Sequence, residues 1–192
     1  MAGWTTCTAL DSLLRHTARW YVILLCIVAF AACQGAFRWR AEHLVGPALD
    51  VRIWYTPDEA KAFFAANEPD GNRLYAATQL TLDVVFPFFY GALLGWIMIG
   101  AYPAEYARYL LLIPLAIVAF DLAENLMTAV MALTFSGEAV VQGCAAGGYT
   151  LAKWIMTSVY VPVVFAGLIL KLTRWIAGRY LPAPEASDTA AR

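Results

Sequence analysis

Residues 109–135 read YLLLIPLAIVAFDLAENLMTAVMALTF. Apart from a few polar positions the run is apolar from end to end. As an α-helix it is about 40 Å long at 1.5 Å per residue, more than a hydrocarbon core of roughly 30 Å requires. Asp121, Glu124, Asn125 and Thr128 fall at i, i+3, i+4 and i+7, so they form one polar stripe on an otherwise apolar helix. A carboxylate left facing lipid at mid-span costs about 2.5–3.5 kcal/mol on insertion scales. The stripe must therefore face inward, and the chain has to supply other spans to enclose it.

Three further runs are long enough, at 20–37, 80–101 and 149–170. The expected fold is an all-α integral membrane protein: a four-helix transmembrane bundle forming a single domain over 1–180, with a short amphipathic helix in the first loop. Trp20, Trp39, Tyr102, Tyr106, Tyr149, Trp175 and Tyr180 stand near the span ends, where amphipathic rings settle at headgroup level. Composition agrees, since 61% of the 192 residues are hydrophobic and only 14% charged, with a mean hydropathy of +0.62. A formal charge of −1 without a basic stripe argues against a nucleic-acid partner. Cys7, Cys26, Cys33 and Cys144 form no C-x-x-C pair, and His16 and His43 lie outside or at the edge of the apolar runs. Neither zinc spacing nor axial haem ligation follows, so no metal and no cofactor is expected. Residues 181–192, LPAPEASDTAAR, have the composition of a disordered cytoplasmic tail.

An even number of spans puts both termini on one side. Arg15, Arg19, Arg108, Lys171, Arg174, Arg179 and Arg192 flank that side, against Arg38, Arg40, Arg52, Lys61 and Arg73 opposite. The bias favours cytoplasmic termini, with Arg38 and Arg40 dissenting. A cleaved signal peptide is the competing reading of the first run, because small residues and Cys33 follow it. The long polar lead before Trp20 and the bulky Phe30 weigh against that.

The extracytoplasmic first loop, 38–74, carries its own helix signal. Thr56-Pro57-Asp58-Glu59 combines an N-cap threonine, proline at the first helical position and glutamate at the third. The helix it starts places Ala60, Phe63 and Phe64 on an apolar side suited to the membrane surface. Glu68-Pro69-Asp70-Gly71 reads as a break, and Arg73 to Gln79 as an exposed first turn or two of the second span. The Gly-rich third loop, 136–148, with Glu138 its only charge, reads as a plain connector.

Two more polar stripes match the first. Gln79, Asp83, Pro87 and Tyr90 share one face of the second span, and Thr150, Lys153, Thr157 and Tyr160 one face of the fourth. Pro87 has no N–H, so the carbonyl of Asp83 loses its usual donor. The three stripes are expected to converge on a site that opens to the outer side. Its residues are Asp83, Asp121, Glu124, Asn125 and Lys153, with Gln79 on the same face, Tyr90 and Tyr160 as hydrogen-bonding walls, and Gln34 closing the ring. Three carboxylates against one ammonium cannot all stay charged in a low dielectric, so at least one of them is expected to hold a proton near neutrality. Neutral fasteners would hold helices together at lower insertion cost, which favours a functional use. Gly91 and Gly95, spaced G-x-x-x-G, permit close helix contact inside the bundle or in a homo-oligomer.

The run Tyr55-Thr56-Pro57-Asp58-Glu59, then Gly71, Arg73 and Tyr75, Leu82-Asp83, Phe86-Pro87, Tyr90, Asp121, Glu124-Asn125 and Lys153-Trp154 resembles a pattern in small bacterial four-helix membrane proteins of uncharacterised activity. The resemblance covers about Tyr55 to Trp154, implies a bacterial origin and carries over no catalytic residue. Quinone-linked disulfide enzymes do not fit, because their paired cysteines are missing; small multidrug exporters are shorter and carry an acid in the first span.

The leading expectation is a multi-pass inner-membrane protein whose polar interior binds a small polar or amphiphilic ligand, or a proton, with membrane lipid as its surroundings. One alternative is an intramembrane enzyme acting on a lipid or isoprenoid, with Glu124 or Asp83 as general acid or base and Lys153 stabilising negative charge. Another is an accessory subunit whose acids pair with a partner's basic helix.

Overall fold

The computed structural model describes residues 2–137 and 142–180, and among these the chain is helical with no strand. The helices are α1 (Ala2–Thr17), α2 (Trp20–Glu42), α3 (Pro57–Ala66), α4 (Asp70–Leu80), α5 (Leu82–Ala101), α6 (Ala104–Leu110), α7 (Leu112–Thr134) and α8 (Gly143–Tyr180), with a 3-10 turn at Leu49–Val51. Four stretches are long and apolar enough to cross a membrane: α2, α4 with α5, α6 with α7, and α8.

The interruptions within these stretches have local causes. Pro114 cannot donate to the carbonyl of Leu110, and α6 ends at Leu110. Between α4 and α5, the Thr81 hydroxyl takes the carbonyl of Ala77 at 2.6 Å, a side-chain competitor for the helix ladder. α7 is the central helix and packs against α4, α5 and α8. α2 lies at the side, mainly against α5, and turns Trp20, Leu24, Leu25 and Val28 outward. Outward apolar surface of this extent suits a hydrocarbon surrounding.

Several expected boundaries move. The first span continues through Arg40 to Glu42, so Arg40 belongs to its last turn and not to the loop. Gln34, expected to close the ring of polar groups, is exposed. The second span begins at Asp70, and its first helix is not simply exposed: Asn72, Tyr75, Ala76 and Gln79 are buried along one face. α8 begins at Gly143, which shortens the expected connector. Glu138 and the tail 181–192 lie outside the described residues.

The capping box at Thr56 forms as its sequence dictates. The Thr56 hydroxyl accepts from Glu59 N at 3.2 Å, and the Glu59 carboxylate accepts from Thr56 N at 2.7 Å. The apolar side of α3, however, packs on the protein and not on the membrane surface. Ala60, Phe63 and Phe64 are buried in a cluster with Leu44, Leu49, Tyr75, Ala129 and Met131, so α3 is a lid on the bundle. Asn67 ties that lid to the preceding loop: its side chain accepts from Val45 N at 2.8 Å and donates to Val45 O at 3.2 Å. Tyr55 and Pro57 lie against Gly147 and Gly143, where a side chain would collide with their backbone. The connection 43–69 and the start of α8 therefore share one end of the bundle, the loop end.

α1 has no counterpart among the expected elements. Its Leu14 is buried against Gly95, where a Cβ would stand 2.7 Å from Leu14 Cδ1, and Trp96 Nε1 donates to Leu14 O at 3.0 Å. Gly91 has Val118 of α7 against it in the same way, at 2.6 Å. Both glycines of the G-x-x-x-G pair thus serve close contacts within the chain.

Candidate functional site

The stripe on α7 faces inward as its spacing requires, and Asp121, Glu124, Asn125 and Thr128 are all buried. Lys153 reaches them from α8. Its Nζ lies 2.8 Å from Asp121 Oδ1 and 2.7 Å from Glu124 Oε2, and it donates to the backbone carbonyl of Asp50 at 3.3 Å. Asp121 Oδ1 and Asp50 O accept hydrogen bonds from the ammonium, and Glu124 Oε2 faces it as an ion pair. Each carboxylate has a further donor: Tyr90 OH gives its hydrogen to Asp121 Oδ2 at 2.8 Å, and Thr150 Oγ1 gives its own to Glu124 Oε1 at 2.6 Å.

A second cation completes the cluster. Arg40, 2% exposed, donates from Nη2 to Asp50 Oδ2 at 2.7 Å and from Nη1 to Asp83 Oδ2 at 3.1 Å. Tyr75 OH donates to Asp50 Oδ1 at 3.2 Å, and the rings of Phe37 and Tyr75 lie about the guanidinium at 5.1 and 5.2 Å. Asp50 joins the two halves, binding Arg40 through its carboxylate and Lys153 through its carbonyl. The 3-10 turn supplies it, entered after Gly46 at φ +80°, a backbone conformation that favours glycine.

Asn125 accounts for the consequence of Pro87. Its Nδ2 donates to Asp83 O at 2.7 Å, the carbonyl that the proline leaves without a helical partner. A neutral amide on α7 thereby fastens α5 next to the charged cluster.

Some of the residues expected from the sequence come together and others do not. Asp121, Glu124, Lys153 and Tyr90 meet, with Asn125 beside them. Asp83 does not reach Lys153 and pairs with Arg40 instead. Tyr160 is no wall of the site: its hydroxyl donates to Leu94 O at 2.8 Å within a separate apolar cluster. Gln79 is fully buried near the cluster, yet neither of its amide atoms has a hydrogen-bond partner among the described residues. Arg40 and Asp50 were missed. Arg40 had a signal, since Cys33, Phe37 and Arg40 follow at i, i+4 and i+7 along one helix face, but only if the span is allowed to run past Phe37. Asp50 sits in an aperiodic loop that offers no such signal.

The cluster is closed. Side-chain exposure is 12% for Lys153, 9% for Asp121 and 0% for Glu124. Tyr55 covers it from the loop, and burial, reinforced by the charge of Glu124, pushes its phenol well above the usual range, so it stays neutral. Among the described residues, no group of three or more His, Cys, Asp or Glu side chains is placed to hold a metal ion. The arrangement gathers its carboxylates in pairs on shared cations, Asp50 with Asp83 on Arg40 and Asp121 with Glu124 on Lys153. Comparison with protein-family models, curated proteins and solved structures finds no match to this chain.

Proposed function

We propose that this chain is a multi-pass protein of a bacterial inner membrane, with both termini cytoplasmic. Its buried ionic cluster lies in the extracytoplasmic half, where it binds a proton or a small polar or amphiphilic ligand with a cationic group. The observation that carries the reading is the charge balance. Among the described residues, Asp50, Asp83, Asp121 and Glu124 stand in one connected network whose ion pairs are with Arg40 and Lys153 alone. Such an excess of negative charge in a low dielectric calls for protons or for a cation from outside. A structural fastener could be neutral, or at least balanced. The orientation gains support because Arg40, one of the two dissenting charges, is buried and paired and so is not a free flanking cation.

The enzyme alternative assigns Lys153 to stabilising developing negative charge, but its ammonium already donates to Asp121 and Asp50 O and is ion-paired with Glu124. The accessory-subunit alternative requires acids presented to a partner's helix, and these acids are turned inward. Both are weaker accounts of the same residues.

Infrared difference spectroscopy across a pH titration, beside native mass spectrometry of wild type and Glu124→Gln, tests the proposal. A protonated-carboxyl band that titrates reversibly and changes in Glu124→Gln is expected for proton exchange. A bound small molecule present in wild type and absent from the variant is expected for a ligand. The absence of both a titrating band and an adduct would overturn it.

A further inference from the structure

At the end of the bundle opposite the ionic cluster, the turn between α5 and α6 meets the second half of α8 around a half-open cleft of about 700 Å³. Tyr102 is fixed at its base. Its hydroxyl donates to Val163 O at 2.6 Å, and its ring lies on Gly167, a position where any side chain would collide with it. Gly167, Lys171 and Arg174 follow at i, i+4 and i+7, so both cations stand on the α8 face that borders the cleft. Lys171 donates to Gly100 O at 2.9 Å, which holds its exposed ammonium at the mouth with donors to spare. Tyr106 stands opposite and is largely exposed, while Leu110 and Leu170 supply apolar wall. Among the described residues no acidic side chain lines the cleft.

We propose that this cleft binds an anionic phospholipid. Lys171 and Arg174 engage the headgroup phosphate beside Tyr106, and an acyl chain runs over Leu110 and Leu170. The mixed lining is what selects a lipid over a soluble anion: two cations and Tyr106 border the same cleft as the apolar side chains of Leu110, Val163 and Leu170, which suits a headgroup joined to hydrocarbon. A free phosphate would make no use of the apolar wall. The site rests on the membrane reading above but is independent of the ionic cluster.

The full-length protein in detergent, offered equal amounts of phosphatidylglycerol and phosphatidylcholine with identical acyl chains, is read by native mass spectrometry. Preferential retention of phosphatidylglycerol is expected. The preference should fall about fivefold in Lys171→Gln or Arg174→Gln and about thirtyfold in the double variant. Lys171→Arg should keep it, as should Arg38→Gln at the opposite end. Arg174 makes no side-chain bond among the described residues, so Arg174→Gln reports on the headgroup even if Lys171→Gln loosens the turn. Equal retention of the two lipids by wild type, an unchanged preference in the double variant, or displacement of the lipid by millimolar inorganic phosphate would each overturn the site. Flotation with liposomes separates the two readings. A chain that does not float overturns the membrane reading and this site with it, whereas one that floats without discriminating overturns the site alone.

Discussion

The two halves of the bundle solve the same problem with different chemistry. In the half nearer the termini, Leu14, Trp96, Met98, Leu111, Ile117 and Tyr160 form an apolar cluster, and its polar atoms act singly on backbone carbonyls: Trp96 on Leu14, Tyr160 on Leu94. In the half nearer the loops, Arg40, Asp50, Asp83, Asp121, Glu124 and Lys153 bind one another. Neutral donors that close on carbonyls hold helices together at small insertion cost and need no second ion. Ions need each other, and the loss of one leaves its partners unpaired in a low dielectric. The first half can lose one polar group without leaving a charge unpaired; the second cannot.

The sharpest way to break this contrast is to remove Lys153. Lys153→Met should cost about 3–5 kcal/mol of stability, because Asp121 and Glu124 then lose their shared cation. Denaturant unfolding in detergent measures it. Replacing Lys153, Asp121 and Glu124 together by Met, Leu and Gln should recover most of that loss, since no buried charge is left without a partner. If the triple variant is stable but has lost the titrating carboxyl band, stability and function separate at this cluster.

Next in size is Asn125→Leu, which leaves the Asp83 carbonyl without a donor and should cost about 1–3 kcal/mol. The same substitution in a Pro87→Ala background should cost much less, because an alanine there restores the helical N–H to that carbonyl. A double-mutant cycle measures the coupling. An equal cost in both backgrounds would mean that Asn125 acts through something other than the proline.

This coupling also marks how far the sequence could be read. The lengths of the apolar runs and the phase of their polar residues were enough for four long helices and for the meeting of Asp121, Glu124 and Lys153, because helical period alone determines which side chains share a face. The unpaired carbonyl at Asp83 followed from Pro87, yet its donor is on another helix and could not. The same limit hid Asp50, delivered by an aperiodic loop, and misplaced Tyr160, whose stripe extends beyond the depth at which the ions end. α3 was found from its capping box, but whether its apolar side meets lipid or protein depends on Tyr75 and Met131, which local sequence does not bring near it. α1 was overlooked because its burial rests on a few contacts such as Leu14 with Gly95.

In the apolar half the expected effects are smaller. Tyr160→Phe removes one neutral hydrogen bond to Leu94 O and should cost about 0.6 kcal/mol, the average for such bonds between helices in lipid. A cost comparable with that of Lys153→Met would erase the distinction between the halves.

The smallest effect concerns the lid over the ionic half. Glu59 accepts from Thr56 N at 2.7 Å and from Thr56 Oγ1 at 2.9 Å, and these two bonds, the backbone one first, hold its carboxyl below the usual range. A carboxyl depressed in the folded state contributes stability that is fully present above its unfolded pKa and is lost as pH falls through the folded one. The start of α3 should therefore fray on acidification in wild type. In Glu59→Gln it should be looser at neutral pH and indifferent to acid, since the amide cannot titrate. Amide exchange at Ala60, whose N–H donates to Thr56 O at 3.0 Å, reads this once corrected for the intrinsic rate. Because Glu59 is exposed, only the first turn of α3 should respond. If protection instead falls together at Ala60 and at Tyr75 or Met131, the lid and the ionic half open as one unit, and acid reaches the cluster through the helix that covers it.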